Sequence, residues 1–246
     1  MSRRFVQVMM VAAVILVACC IAVVSEQKPV VIISGHTHWS PAMSSDGKGN
    51  IVGFGPDATE MVLKEIGYNA RSLDVGPWNV VQEKARTGEI DAIVALYKTK
   101  EREEYLDYSI PYMTDPIVLF FASGKNFTYN SKEDLIGKRG IATVGDSYGQ
   151  EIDDFIVEAN LNMSRVATPQ EAFHLLGEGK ADYFIYSAYS GRSIIKESNL
   201  SGFEESGVVS EELFYIGISK KSPLAKEMPR INASLEKMIK EGKIPH

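Results

Sequence analysis

Residues 87–96 read TGEIDAIVAL and residues 178–187 read EGKADYFIYS. In each, a glycine follows a helix-like run, and an aspartate stands three residues later at the entrance to an apolar run. Gly88 and Gly179 suit the left-handed position that closes a helix. The apolar runs have the length and composition of buried strands. The two junctions lie about 90 residues apart, too far for a solenoid repeat but suited to two similar α/β units.

Working outward, the same alternation surrounds both junctions. Before the first, Pro29–Ser34 reads as a buried strand, and a Gly/Ser-rich loop runs to Asn50. Pro56–Ile66 carries apolar residues at helical spacing, Asn69–Val75 is strand-like, Trp78–Thr87 helical and Ile90–Leu96 a strand. Around the second, Ile141–Val144 is a short β-type run, Gln150–Leu161 and Pro169–Leu176 read as helices, and Asp182–Tyr186 as a strand. Strands alternating with helices indicate βαβ units on a mostly parallel sheet. Between the units runs Tyr112–Ser123 (YMTDPIVLFFAS), an extended apolar crossing; Leu213–Ser219 returns before a closing helix, Pro223–Lys240. The expected fold class is α/β, two similar α/β lobes joined by two hinge crossings. Lobe 1 spans 26–115 and is completed by 215–246; lobe 2 spans 116–214.

Residues 1–25 differ in kind. A short basic head at Arg3-Arg4 precedes Phe5–Val24, which is apolar except for Gln7. This is an export leader or an anchor. Leu16-Val17-Ala18-Cys19 resembles a bacterial lipobox, which makes Cys19 the candidate lipidation site; cleavage after Ser25 is the alternative. Either way the folded part is expected outside the cytoplasm, in the periplasm or on the outer face of the cytoplasmic membrane. Both cysteines lie in this leader, so the folded part has no thiol nucleophile and no disulfide. The formal charge is −6, and losing Arg3 and Arg4 takes it to −8. Such an acidic chain, with no basic cluster, is not expected to bind nucleic acid.

Gly145-Asp146-Ser147-Tyr148-Gly149 formally matches the G-x-S-x-G nucleophile elbow. A hydrolase needs an acid and a histidine downstream, and only His174, inside an expected helix, and His246 follow. The other reading starts from Ser147 and Gln150, which are spaced as a capping box at a helix start. Free N–H groups and the positive dipole end there suit a carboxylate or phosphate. Opposite it, Arg102 follows the strand of the first junction, beyond the carboxyl end, where ligands sit in open α/β sheets. A guanidinium grips a carboxylate with two parallel hydrogen bonds. His36-Thr37-His38 places two imidazoles on one side of an extended segment, but without a third ligand no metal site is assigned.

Further landmarks are Trp39-Ser40-Pro41, Gly53-Phe54-Gly55-Pro56-Asp57, and Thr99-Lys100-Glu101-Arg102 followed by Tyr108-Ser109-Ile110-Pro111-Tyr112. In order and spacing, with the Gly145-Asp146-Ser147 turn, they resemble the family 3 extracellular solute-binding proteins, the receptors of amino-acid ABC importers. The resemblance covers nearly everything after residue 28. It implies a type II periplasmic-binding-protein fold, no cofactor, a monomer, and an importer permease as partner. It also implies that Arg102 of T-x-x-R, with the Asp146–Ser147 turn, holds a ligand carboxylate, and that Trp39 packs on the ligand; Thr99 of the same motif joins the candidate ligand-binding residues. His36, Tyr97, Tyr148 and Ser187 complete the candidate set.

Three departures stand out. Counting five residues on from Asp182, where the family often places an ammonium-pairing aspartate, gives Ser187. Tyr97-Lys98 replaces a stretch that is usually small and polar, and Asp146 stands where a neutral residue is common. Either Asp146 takes over the ammonium, or the ligand is an organic acid without one. An enzyme on the same fold, of cyclohexadienyl dehydratase type, would need a general acid in the cleft; only Asp146 offers itself, and the positive end of an expected helix there suits an anion rather than a proton donor. The expectation is therefore a binding protein, not an enzyme.

Overall fold

The computed structural model describes residues 30–244. The leader, Cys19 and the terminal His246 lie outside the described residues. Strands β1 (Val30–Ser34), β5 (Asn69–Ser72) and β6 (Ala92–Leu96) run parallel, with β1 in the middle. A second parallel set contains β9 (Arg139–Thr143), flanked by β10 (Asn162–Val166) and β11 (Tyr183–Ser187). Between the two sets lie β8 (Met113–Ala122) and β12 (Phe203–Ser219), antiparallel to each other and to their neighbours, giving the order β10-β9-β11-β8-β12-β6-β1-β5. The short β7 (Leu106–Tyr108) pairs with the end of β12. Helices cover the sheet: Phe54–Glu65 packs on the β1 set with Met228–Lys240 against it, and Pro169–Gly177 and Ala188–Glu197 pack on the β9 set.

The two junctions play the same part in both sets. At the first, the helix Trp78–Thr87 ends on Gly88 at φ 83°; the Asp91 N–H donates to the Ile32 carbonyl, and its carboxylate accepts from the Ile32 N–H, both at 2.7 Å. At the second, Gly179 has φ 71°; the Asp182 N–H donates to the Arg139 carbonyl and its carboxylate accepts from the Arg139 N–H, again both at 2.7 Å. Each aspartate thus closes a two-bond ring with the neighbouring strand where a side-chain acceptor is needed. That is why the spacing recurs.

Three expectations change. The loop expected up to Asn50 contains a small antiparallel sheet, β2 (His38–Trp39), β3 (Met43–Ser45) and β4 (Ile51–Val52). The return crossing is far longer than Leu213–Ser219: β12 has 17 residues, and its polar first half (FEESGVVSEE) pairs with apolar β8. Pairing with a well-formed neighbour outweighs the low strand propensity of that half. The closing helix is split into a 3-10 turn, Pro223–Glu227, and an α-helix from Met228, with prolines at both starts.

Candidate functional site

Both parallel sets point their carboxyl ends at one cleft. His36 follows β1, Tyr97 follows β6, and Asp146–Ser147 follow β9. A small, tight cavity lies between them, lined by His36, Trp39, Met43, Trp78, Ala95, Leu96, Tyr97, Arg102, Asp146, Ser147 and Phe214. The walls are largely aromatic. Trp39 sits edge-on to His36 and Tyr97, and Tyr97 stacks on Phe214. Ala95 is fully buried with φ 45°, a conformation that costs a non-glycine residue about 1–3 kcal/mol.

Arg102 is 5% exposed and supplies the cavity's cation. Its spacing from Thr99 has a local cause: Thr99 caps the short helix Lys100–Glu103, and its Oγ1 accepts from the Arg102 N–H at 3.2 Å. The guanidinium donates to Gln82 Oε1 at 3.2 Å and to the Tyr97 carbonyl at 3.0 Å, and lies 5.2 Å from the Trp78 ring. Among the described residues, no carboxylate comes within 4.0 Å of it. A buried cation matched only by neutral acceptors is electrostatically incomplete. The N–H groups of Asp146 and Ser147 likewise donate to no protein acceptor among the described residues.

The turn itself differs from the capping-box expectation. The helix Gln150–Glu158 starts one residue after Gly149, which is the N-cap and provides no side chain. Ser147 instead donates to Asp153 Oδ2 at 2.5 Å, and the Tyr148 N–H donates to Asp153 Oδ1 at 3.0 Å. An internal carboxylate therefore serves this helix start, and burial pushes its pKa up. Gly149 has φ 94°, and a Cβ there would sit 2.0 Å from Glu212 Oε1, which accounts for the second glycine of the motif.

Hydrogen bonds hold the cleft shut. His36 Nε2 lies 3.0 Å from Asp146 Oδ1, and both residues are buried. The His38 N–H donates to His36 Nδ1 at 2.9 Å, which assigns the His36 proton to Nε2, facing Asp146. Thr143 Oγ1 donates to the other Asp146 oxygen. Trp78 Nε1 donates to the Gly145 carbonyl at 3.0 Å, and Tyr186 Oη to the His38 carbonyl at 2.7 Å. The His38 pKa is lowered, first by burial and then by the neighbouring His36, against the pull of Asp146 and Asp74.

The structure thus brings His36, Trp39, Tyr97, Arg102, Asp146 and Ser147 around one cavity. Thr99 lies on its polar flank, a second opening lined by Gln82, Arg102, Asp146, Ser147 and Asp153 among others. Two candidates do not line the cavity. Tyr148 is wholly buried, with its hydroxyl accepting from the Thr143 N–H at 2.9 Å. Ser187 is also fully buried; it caps the helix Ala188–Glu197 and donates to Asp115. The sequence reading missed Asp115, Trp78 and Phe214. Asp115 had a signal, as the single charged residue in Tyr112–Ser123.

A two-set α/β sheet with crossing strands between the sets, closed over an inter-set cavity, is the fold of the periplasmic-binding-protein class. The chain belongs to the bacterial extracellular solute-binding proteins, family 3, whose model matches residues 31–246. A curated relative, a probable histidine-binding protein of Neisseria gonorrhoeae, is 19% identical over 211 residues, covering 85% of this chain and 78% of that protein. Among solved structures, holo ArgBP from T. maritima is 23% identical with a TM-score of 0.70, covering 85% of this chain and 90% of that one. A histidine kinase sensor domain with similarity to periplasmic binding proteins has a TM-score of 0.77 at 17% identity, covering 89% of this chain and 93% of that one. At these identities the structural likeness is one of fold.

Proposed function

We propose that this protein captures a small carboxylate, an amino acid foremost, in the cavity between two lobes and presents it to an ABC importer outside the cytoplasm. The observation that carries the reading is Arg102: a buried guanidinium that, among the described residues, has no carboxylate partner and stands beside two backbone N–H groups without acceptors. A ligand carboxylate would complete both, and burying an unmatched charge otherwise costs several kcal/mol. Lobe 1 would comprise 26–115 with 215–246, and lobe 2 116–214, so that β8 and β12 form the hinge. The leader would direct export, with Cys19 as the lipidated residue in the anchored form, and the protein would act as a monomer without catalysis. The named relatives, histidine- and arginine-binding proteins, make amino acids the first solutes to try.

The test is titration calorimetry with L-arginine, L-histidine, L-lysine and L-glutamine beside acids of matched size lacking the amine. Saturable binding of an amino acid, abolished in Arg102→Met, supports the reading. Binding of the deaminated acids alone would move the assignment to organic acids. Binding by neither set would remove the carboxylate assignment.

A further inference from the structure

Asp115 is 1% exposed and has no cationic partner among the described residues. It lies on β8, the crossing strand. Its Oδ2 accepts from Trp39 Nε1 at 2.9 Å and from Tyr97 Oη at 2.6 Å, and its Oδ1 accepts from Ser187 Oγ at 2.7 Å. Trp39 and Tyr97 belong to the cavity wall, reached from β2 and β6; Ser187 ends β11 on the other side of the sheet. The carboxylate does not line the cavity. It stands one layer behind, where three donors from both sides of the sheet converge. A buried carboxylate is tolerated only when hydrogen bonds replace its water, and these three meet that need.

We propose that Asp115 is a positioning residue, whose carboxylate aims the Trp39 indole and the Tyr97 phenol along the cavity wall and ties them through Ser187 to the opposite side. Trp39 can only donate from its ring nitrogen, so an acceptor at this point dictates the indole's orientation. Tyr97 Oη shares the same oxygen, so the two rings are set as a pair, edge-on with centroids 5.9 Å apart. The Ser187 hydroxyl carries the link onward, because its oxygen also accepts from the Ser190 N–H at 3.2 Å at the start of the next helix. The serine thus stands in a junction whose negative charge comes from the adjacent strand.

The inference concerns the same cavity as the proposed function, but it is read in solute-free protein and so stands or falls separately from any ligand. The experiment follows the indole N–H resonances of the two tryptophans by ¹⁵N–¹H NMR in the folded domain, assigned with Trp78→Phe, together with acrylamide quenching of Trp39 in that background. Asp115→Asn keeps one oxygen for Trp39 and Tyr97 while its amide faces Ser187. It should shift the Trp39 indole resonance upfield, leave that of Trp78 in place, and leave quenching unchanged. Asp115→Ala removes the acceptor and should raise Trp39 quenching severalfold with the Trp78 resonance still unmoved. A folded Asp115→Ala variant with parental resonance and quenching overturns the proposal. If that variant does not fold, an unmoved Trp39 resonance in Asp115→Asn overturns it instead.

Discussion

Replacing Arg102 by methionine separates a binding arginine from a structural one, and the structure supplies the magnitudes. The guanidinium donates to Gln82 Oε1 and to the Tyr97 carbonyl. Hydrogen bonds from a charged group contribute about 1.5–3 kcal/mol each, so losing both costs roughly 3–6 kcal/mol. Against this, the substitution removes a 5% exposed cation that has no carboxylate within 4.0 Å among the described residues. The desolvation penalty relieved is again several kcal/mol, and buried charges replaced by apolar residues of similar volume are often neutral or stabilising. Methionine refills the space beside Trp78. The balance predicts solute-free stability within about 2 kcal/mol of the parent, a midpoint shift below about 8 °C for a domain of this size. Solute at 100 times its Kd adds about 2.7 kcal/mol to the parent, roughly 5–11 °C. Differential scanning calorimetry with and without solute should therefore show a near-parental midpoint and no solute-induced rise in the variant. A solute-free loss above roughly 10 °C, or a retained rise, would refute the assignment of Arg102 to the ligand.

Three further outcomes follow from other parts of the site. Asp146→Ala leaves His36 Nε2 and Thr143 Oγ1 without their acceptor; losing about 1.5–3 kcal/mol of cross-cleft bonding should lower the closed-to-open ratio roughly 10- to 150-fold. Distances between spin labels on the two sides would report this, and an unchanged distribution would count against the latch. Burial holds the His38 pKa below its ordinary 6.5, so on acidification the unfolded chain takes up that proton first. Its contribution to stability is complete above about 6.5 and is lost as pH falls through the lower folded value. Asp115, Asp153 and Glu212, raised by burial, oppose this trend at lower pH. The difference between parent and His38→Gln in urea midpoints between pH 7.5 and 5 isolates the effect, and equal slopes would exclude it. Ala95→Gly would ordinarily cost about 0.5–1 kcal/mol in a strand; at φ 45° it should be neutral or stabilising by up to about 1 kcal/mol, and a clear loss in the same denaturation assay would show that the strain is absent.

Legibility in the sequence followed the range of the forces involved. The helix Trp78–Thr87, Gly88 and the strand ending at Leu96 were legible because capping, periodicity and the Asp91 ring act within a few residues or on the adjacent strand. The T-x-x-R spacing was visible for the same reason, since Thr99 caps the turn that carries Arg102. The first half of β12 was not legible: its glutamates and glycine give no strand signal, and its partner β8 lies about 90 residues away in sequence.

Sequence alone determined the α/β class, the duplication and the end of the sheet where Arg102, Asp146 and Trp39 would gather. Only the tertiary structure decided how their charges are matched. Ser147, spaced as a capping residue beside a carboxylate-holding turn, donates to Asp153; Asp146, the candidate partner for a ligand ammonium, faces His36. The negative charge absent at Ser187 is present 2.7 Å away on Asp115, one strand over and 72 positions earlier. Electrostatic pairing depends on distance in space, and in an open sheet with crossing strands neighbours in space are distant in sequence.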